Sequence, residues 1–179
     1  MAAQEEMNSA THSEEAAPPA PRPSHGEQAR AAMLALAVVA ADQATKCLAR
    51  SMLQPGSPRE VIPGFFNLTL VFNRGAAWGM LPGFRIFFVA LAAGMLAFLA
   101  ISFRRGRLFT EGLLSRVAGS LLAGGVCGNA IDRALTGEVT DFIDLWHASY
   151  HFPCFNVADS AICIGIALYF LATLPHSRR

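Results

Sequence analysis

Charge is scarce in this sequence. Asp, Glu, Lys and Arg make up 15% of its 179 residues, against about 25% in an average soluble domain. That scarcity excludes a strongly basic nucleic-acid binder and most intrinsically disordered proteins. Cysteine is scarce too, and four in a chain of this length are too few for a disulfide scaffold. Net charge is almost absent at +1, but the total conceals a division. Residues 1–29 carry five acids (Glu5, Glu6, Glu14, Glu15, Glu27) and one base, Arg22. Residues 30–179 carry thirteen bases and eight acids. Apolar residues are what the chain has in excess, at 53% against about 45–50%. Its length fits one domain.

Residues 1–29 are rich in Ala, Glu, Pro and Ser, with Pro18, Pro19, Pro21 and Pro23 close together. They offer no periodic apolar face, so a disordered tail is expected. From Ala31 the hydrophobicity changes scale. Ile86–Phe103 contains no charge and has the length of a membrane span. Three shorter runs are Ala31–Ala41, Val117–Ile131 and Ser160–Pro175, each able to cross only if its flanking charge sits near a membrane surface. The first run, ending Val39-Ala40-Ala41, also has the length and cleavage-like end of a signal peptide. Four buried helices of a soluble protein are the alternative, but the chain has too little charge to cover such a surface. The sequence therefore predicts an all-α membrane protein with four transmembrane helices, at about 31–50, 84–103, 113–132 and 157–175, followed by a short tail at 176–179.

Arg104, Arg105, Arg107 and Arg116 cluster between the second and third spans, and the chain ends Arg178-Arg179. The positive-inside rule makes these regions, and both termini, cytoplasmic. Arg59, Arg74, Arg85 and Arg133 in the outward loops weaken the contrast without reversing it. With this topology Asp42 and Lys46, Asn129, Asp132 and Arg133, and Asn156 and Asp159 all fall at the outer ends of their spans, near an outer loop holding Asp141 and Asp144. Charge at membrane depth costs about 2.5–3.5 kcal/mol on insertion scales, which marks such residues as functional candidates.

Each candidate has two readings. Asp42 and Lys46 are four residues apart on one helix: either an ion pair that lets the helix end sit among headgroups, or part of a site. Phe66, Leu68, Leu70 and Phe72 alternate with Asn67, Thr69, Val71 and Asn73, which predicts a strand. The Asn73-Arg74-Gly75-Ala76-Ala77-Trp78-Gly79 stretch after it reads as an interfacial β-element or a substrate cradle with Asn73 as a clamp. Ser120, Gly124 and Gly128 form a small-residue ladder that favours helix packing. Asn129 and Arg133 are one turn apart and suit either carboxylates or lipid phosphate. Asp141 and Asp159 are separated by a stretch long enough to fold back on itself. Two carboxylates brought together in a poorly solvated site share a proton and can activate water, as in aspartic proteases. An ion pair of either with Arg133 or Lys46 is the structural alternative. His147, His151 and Cys154 give only three potential metal ligands, with Pro153 disturbing their alignment, so an interfacial loop and no metal is expected.

Five blocks taken in order resemble the bacterial lipoprotein signal peptidase (signal peptidase II) family. They are Asp42-Gln43-Ala44-Thr45-Lys46, Val71-Phe72-Asn73-Arg74-Gly75-Ala76-Ala77, Gly125 through Asn129 to Asp132-Arg133, Val139-Thr140-Asp141-Phe142, and Phe155-Asn156-Val157-Ala158-Asp159-Ser160. Trp78 stands where the family usually has Phe, and residues 1–29 lie outside the resemblance. The resemblance implies a multi-pass aspartic endopeptidase of the bacterial inner membrane, with a small β-element and loop on the periplasmic face; a monomer is expected. Its implied partners are diacylglyceryl prolipoprotein signal peptides and membrane lipid, with no nucleic acid. Cleavage falls just before the lipidated Cys, and neither metal nor organic cofactor is involved. Carried over, Asp141 and Asp159 are the catalytic pair. Asn73, Gly125, Asn129, Arg133, Asn156 and Ala158 line the site, and Asp42 and Lys46 support it. The competing functions are a proton-coupled transporter using Asp42 and Asp159, a non-catalytic assembly factor, and a metallopeptidase using His147 and His151.

Overall fold

The computed structural model describes residues 23–75, 80, 83–106, 108–109, 112–148 and 150–174. Residues 76–79, Arg107 and the terminal Arg178-Arg179, to which the sequence assigned a cradle and an orientation signal, lie outside the described residues. Most of the chain is helical: α1 (His25–Met52), α2 (Arg85–Arg104), α3 (Gly112–Leu135) and α4 (Val157–Thr173). An antiparallel sheet of four strands, β1 (Arg59–Ile62), β2 (Phe66–Asn73), β3 (Val139–His147) and β4 (Tyr150–His151), lies in that order. It joins the C-terminal ends of α1 and α3 to the N-terminal ends of α2 and α4.

The first helix begins earlier than composition predicts. Ser24 accepts a hydrogen bond from the Glu27 amide, and the Glu27 carboxylate accepts from the Ser24 amide. This capping box satisfies two N–H groups that a helix start leaves unpaired. Residues 25–29, expected in the disordered tail, therefore form the first turn of α1.

Helices α1 and α2 are each long and apolar enough to cross a membrane, while α4 is apolar but shorter. Their exteriors are greasy: Leu36, Ile86, Phe98 and Phe170 are all more than half exposed, Ile86 at 85%. The interior is polar by contrast, with Asp42, Lys46 and Asn156 fully buried. A water-soluble bundle has the opposite arrangement.

Helix α3 packs against the other three, and glycine makes the approach close. A Cβ on Gly124 would lie 2.7 Å from the Val38 Cβ, one on Gly125 2.5 Å from the Ala158 carbonyl oxygen, and one on Gly128 2.5 Å from Asp42 Oδ2. The ladder thus presses α3 onto α1 and α4. Gly125→Ala should lower stability by about 1–3 kcal/mol, because the nearest obstacle is backbone that cannot rotate away. Thermal unfolding in detergent checks this; an unchanged melting temperature would mean that the helices separate freely.

Strand β2 has the bounds its alternation predicts. Strand β3 corrects the expected outer loop at 141–144 and the loop reading of His147. Its residues pair with β2, Val71 opposite Asp141 and Asn67 opposite Asp144, with an irregularity between Leu68 and Val71. Both of its faces are covered over residues 139–142, so acids and apolar residues share each face and no alternation appears. Phe142 packs with Ala49 and Leu70, fixing the sheet to the end of α1.

Candidate active site

The site is assembled on a buried cation. Lys46, the chain's only lysine, places Nζ 2.8 Å from Asp42 Oδ2, 3.1 Å from Asp132 Oδ2 and 2.9 Å from Asn129 Oδ1. All three ammonium protons have acceptors. Both residues of the pair are fully buried in the protein rather than exposed at the helix end. Gln43 donates to both carboxylates and to the Gly128 carbonyl. Asp42 reaches across to α4 and accepts from the Ala158 amide at 2.9 Å. A carboxylate there suits the positive end of the helix. Asp132 accepts from the Thr140 amide at 3.0 Å, which holds the start of β3.

Two asparagines carry this order to the paired aspartates. Asn129 accepts from Lys46 at Oδ1 and donates from Nδ2 to Asp159 Oδ1 at 2.7 Å. Because the ammonium can only donate, it fixes which way the Asn129 amide faces. Asn156, the N-cap of α4, accepts from the Asp159 amide. Its backbone N–H donates to Asp159 Oδ2 at 3.2 Å, and its Nδ2 donates to Asp141 Oδ1 at 2.7 Å. One residue therefore contacts both carboxylates. Asn73, at the end of β2, donates to Asp141 Oδ2 at 3.3 Å.

Asp141 and Asp159 open into one cavity of about 620 Å³, with Asn73, Asn129 and Arg133 also in its wall. Burial first, and then the nearby negative charge of Asp159, push the Asp141 carboxyl up to about 7. Neither aspartate forms an ion pair among the described residues, so the ion-pair alternative is not what is seen. Arg133 instead donates to the Gly75 carbonyl at 2.9 Å and lies over the Phe88 ring.

The raised carboxyl has a stability consequence with a definite sign. In the unfolded chain Asp141 would ionise near 3.9, but in the folded protein it holds its proton to about 7. The folded state binds more protons between these values, so stability falls as pH rises from about 4 to 7. Asp141→Asn should remove that loss, raising stability at pH 8 by roughly 1–4 kcal/mol while changing little at pH 4. Melting temperatures of both proteins at the two pH values test this. Equal shifts at both would show that no proton is involved.

The remaining candidates separate. Gly125 and Ala158, expected to line the site, are instead a packing pair behind it, and Ala158 is fully buried. Asn156, Asp42 and Lys46 also lie behind the cavity wall. The rest of the wall, which the sequence did not assign to the site, is Val139, Phe152, Pro153, Cys154, Phe155, Ser160, Cys163 and Ile164. Most of them are apolar side chains of a kind too common on a strand, helix or loop to have marked them. His151 bonds to Asp144 at 3.0 Å and stacks on Trp146, whereas Cys154 faces the Thr69 carbonyl. Burial, then Asp141 and Asp144, push the Cys154 thiol up to about 12, so it stays protonated. Among the described residues no three His, Cys, Asp or Glu side chains converge as metal ligands. Asp42, the first relay group of the transporter reading, is sealed in its pair with Lys46.

Known proteins resemble this chain in sequence and in fold. Lipoprotein signal peptidases of Geobacter metallireducens and Symbiobacterium thermophilum are 43% and 45% identical over 141 and 139 residues, covering 77% and 78% of this chain and 86% and 90% of theirs. One from Staphylococcus aureus is 44% identical, covering 79% of this chain and 86% of its own. Two solved bacterial membrane enzyme structures superpose with TM-scores of 0.73 and 0.71, at 41% and 39% identity. They cover 82% and 83% of this chain and 88% and 95% of theirs. The family model described as signal peptidase (SPase) II matches residues 34–175. That span takes in every member of the polar cluster from Asp42 to Asp159, and the chain belongs to the signal peptidase II family.

Proposed function

We propose that this protein is a membrane aspartic endopeptidase that removes the signal peptide from diacylglyceryl-modified prolipoproteins, cutting just before the lipidated Cys. The observation that carries this reading is the sharing of Asn156 by two carboxylates that open into one cavity. Asp141, whose carboxyl is pushed up to about 7, holds the proton, and Asp159 acts as the carboxylate. Asp159 takes a proton from water while the hydroxide attacks the scissile carbonyl carbon. Asp141 gives its proton to the carbonyl oxygen, forming a neutral gem-diol. The C–N bond then breaks as Asp159 delivers its proton to the leaving amine of the Cys. Asp141 recovers a proton from the diol, and both groups return to their starting states. No metal or organic cofactor enters these steps.

In this reading all four helices span the bacterial inner membrane, α3 and α4 with their charged ends at its surfaces. The cytoplasmic side is set by Arg104, Arg105 and Arg116, and both termini lie there. The sheet and the aspartates then sit at the periplasmic interface, where water is available and the substrate's scissile bond emerges. The enzyme acts as a monomer. Its cavity is mostly apolar away from the aspartates, with Phe152, Pro153 and Ile164 in its wall, which suits a lipid-bearing residue.

The test is to compare a diacylglyceryl lipobox peptide with its unlipidated counterpart on the purified protein. Cleavage of the lipidated peptide at least about 100-fold faster is expected, from apolar burial of the acyl chains at about 0.8 kcal/mol per CH₂. Equal rates would remove the lipid from the substrate's definition.

A further inference from the structure

The helix ends remote from the sheet enclose a second cavity. Helices α1 and α2 both pack on α3 but make little direct contact with each other, and the gap between them holds about 480 Å³. Ala31, Ala32 and Ala35 form the α1 side, and Leu99 and Phe103 face them from α2. The volume falls within the ~300–1,000 Å³ of small-molecule and cofactor sites. Measured along α3 from Arg116 to Asn129, the cavity lies roughly 20 Å from the aspartates.

Its mouth is cationic. Arg104 and Arg116 line it together with Gln28. Arg116 also borders an adjoining cavity of about 140 Å³, beside Arg30 and Glu27. Glu27 pairs with Arg116 at 3.1 Å. It is the one acid among these described rim residues, against three arginines. An apolar slot with a basic rim matches a molecule with a hydrocarbon chain and a negative head. It disfavours the substrate itself, because signal peptides begin with a positively charged segment.

We propose that this cavity binds one anionic phospholipid of the surrounding bilayer, an acyl chain lying between α1 and α2 and the phosphate resting on Arg104 and Arg116. The proposal rests on the four-span orientation given above, which places this end in the cytoplasmic leaflet, where anionic lipids attract basic residues. The bound chain fills the space that α1 and α2 leave open, so it sets their separation.

Native mass spectrometry of the full chain in detergent tests the proposal with dioleoylphosphatidylglycerol and dioleoylphosphatidylcholine. One phosphatidylglycerol per chain is expected, retained at least about fivefold over phosphatidylcholine. Arg104→Glu should weaken retention roughly tenfold, and Ala100→Phe, at an exposed position lining the cavity, should abolish it. Equal retention of the two lipids, or wild-type retention of phosphatidylglycerol by both variants, would overturn the proposal. So would displacement of the lipid by a synthetic signal-sequence peptide, which would assign the cavity to substrate. The readout is lipid occupancy, so loss of the peptidase reading through absent cleavage would be seen separately.

Discussion

Asp159→Asn will insert and fold like the wild type yet cut a diacylglyceryl prolipoprotein at least about 10³-fold more slowly. An asparagine preserves the shape at the third position of α4 and still accepts from Asn129 Nδ2. It cannot take a proton from water. Asp141→Asn should be equally inactive for a different reason: it cannot give a proton to the carbonyl oxygen. The two losses should not add, since a pair acting as a unit is disabled by losing either member. Initial rates of both single variants and the double variant, in the same detergent, give the answer. A double variant slower than the singles by the product of their losses would show two independent contributions.

Lys46→Met carries the largest expected cost to stability, about 3–5 kcal/mol, because it strands Asp42 and Asp132 in a dry interior. The methionine keeps most of the volume, so charge rather than a cavity dominates. The same change removes the charged donor to Asn129 Oδ1, leaving Asn156 Nδ2 at 3.2 Å to hold that amide, and so loosens Asn129 and with it Asp159; displacement of a reacting group by about 1 Å can cost 10²-fold in rate. Adding Asp42→Asn should restore at least about 1 kcal/mol. It returns the cluster to its original net charge, and Asn Oδ1 can still accept from the Ala158 amide. Thermal unfolding of the three variants measures the coupling. Strictly additive losses would mean that Lys46 and Asp42 are not partners in the folded protein.

The parts of the molecule that the sequence revealed are those with a local signature. Charge-free runs located the helices, and alternation over Phe66–Asn73 located β2. Strand β3 escaped because Asp141 and Asp144 interrupt Phe142, Ile143 and Leu145, and both faces are covered where the strand begins. The start of α1 was hidden by composition: the Ser24 and Glu27 that cap it lie within a Pro- and Glu-rich stretch. In the site, individual residues were legible but not the links between them. Asp132 as a partner of Lys46, 86 positions away, has no local pattern, nor does the contact of Asn156 with two carboxylates. Gly125 and Ala158 show the reverse, motif positions that pack two helices together rather than face the cavity.

The arrangement also explains why a protein so poor in charge concentrates it where it does. Asp42, Lys46 and Asp132 form the foundation, Asn129 and Asn156 transmit its geometry, and Asp141 and Asp159 face the cavity. Each layer is held by donors that leave the next only one orientation.

Mass spectrometry of the products released by the purified protein from a diacylglyceryl prolipoprotein addresses this account most directly. The expected products are a signal peptide ending just before the lipidated Cys and a lipoprotein with a free amino group on that Cys, formed by the wild type and by neither Asp141→Asn nor Asp159→Asn. Cleavage at another bond, or the same products from either variant at the wild-type rate, would contradict it.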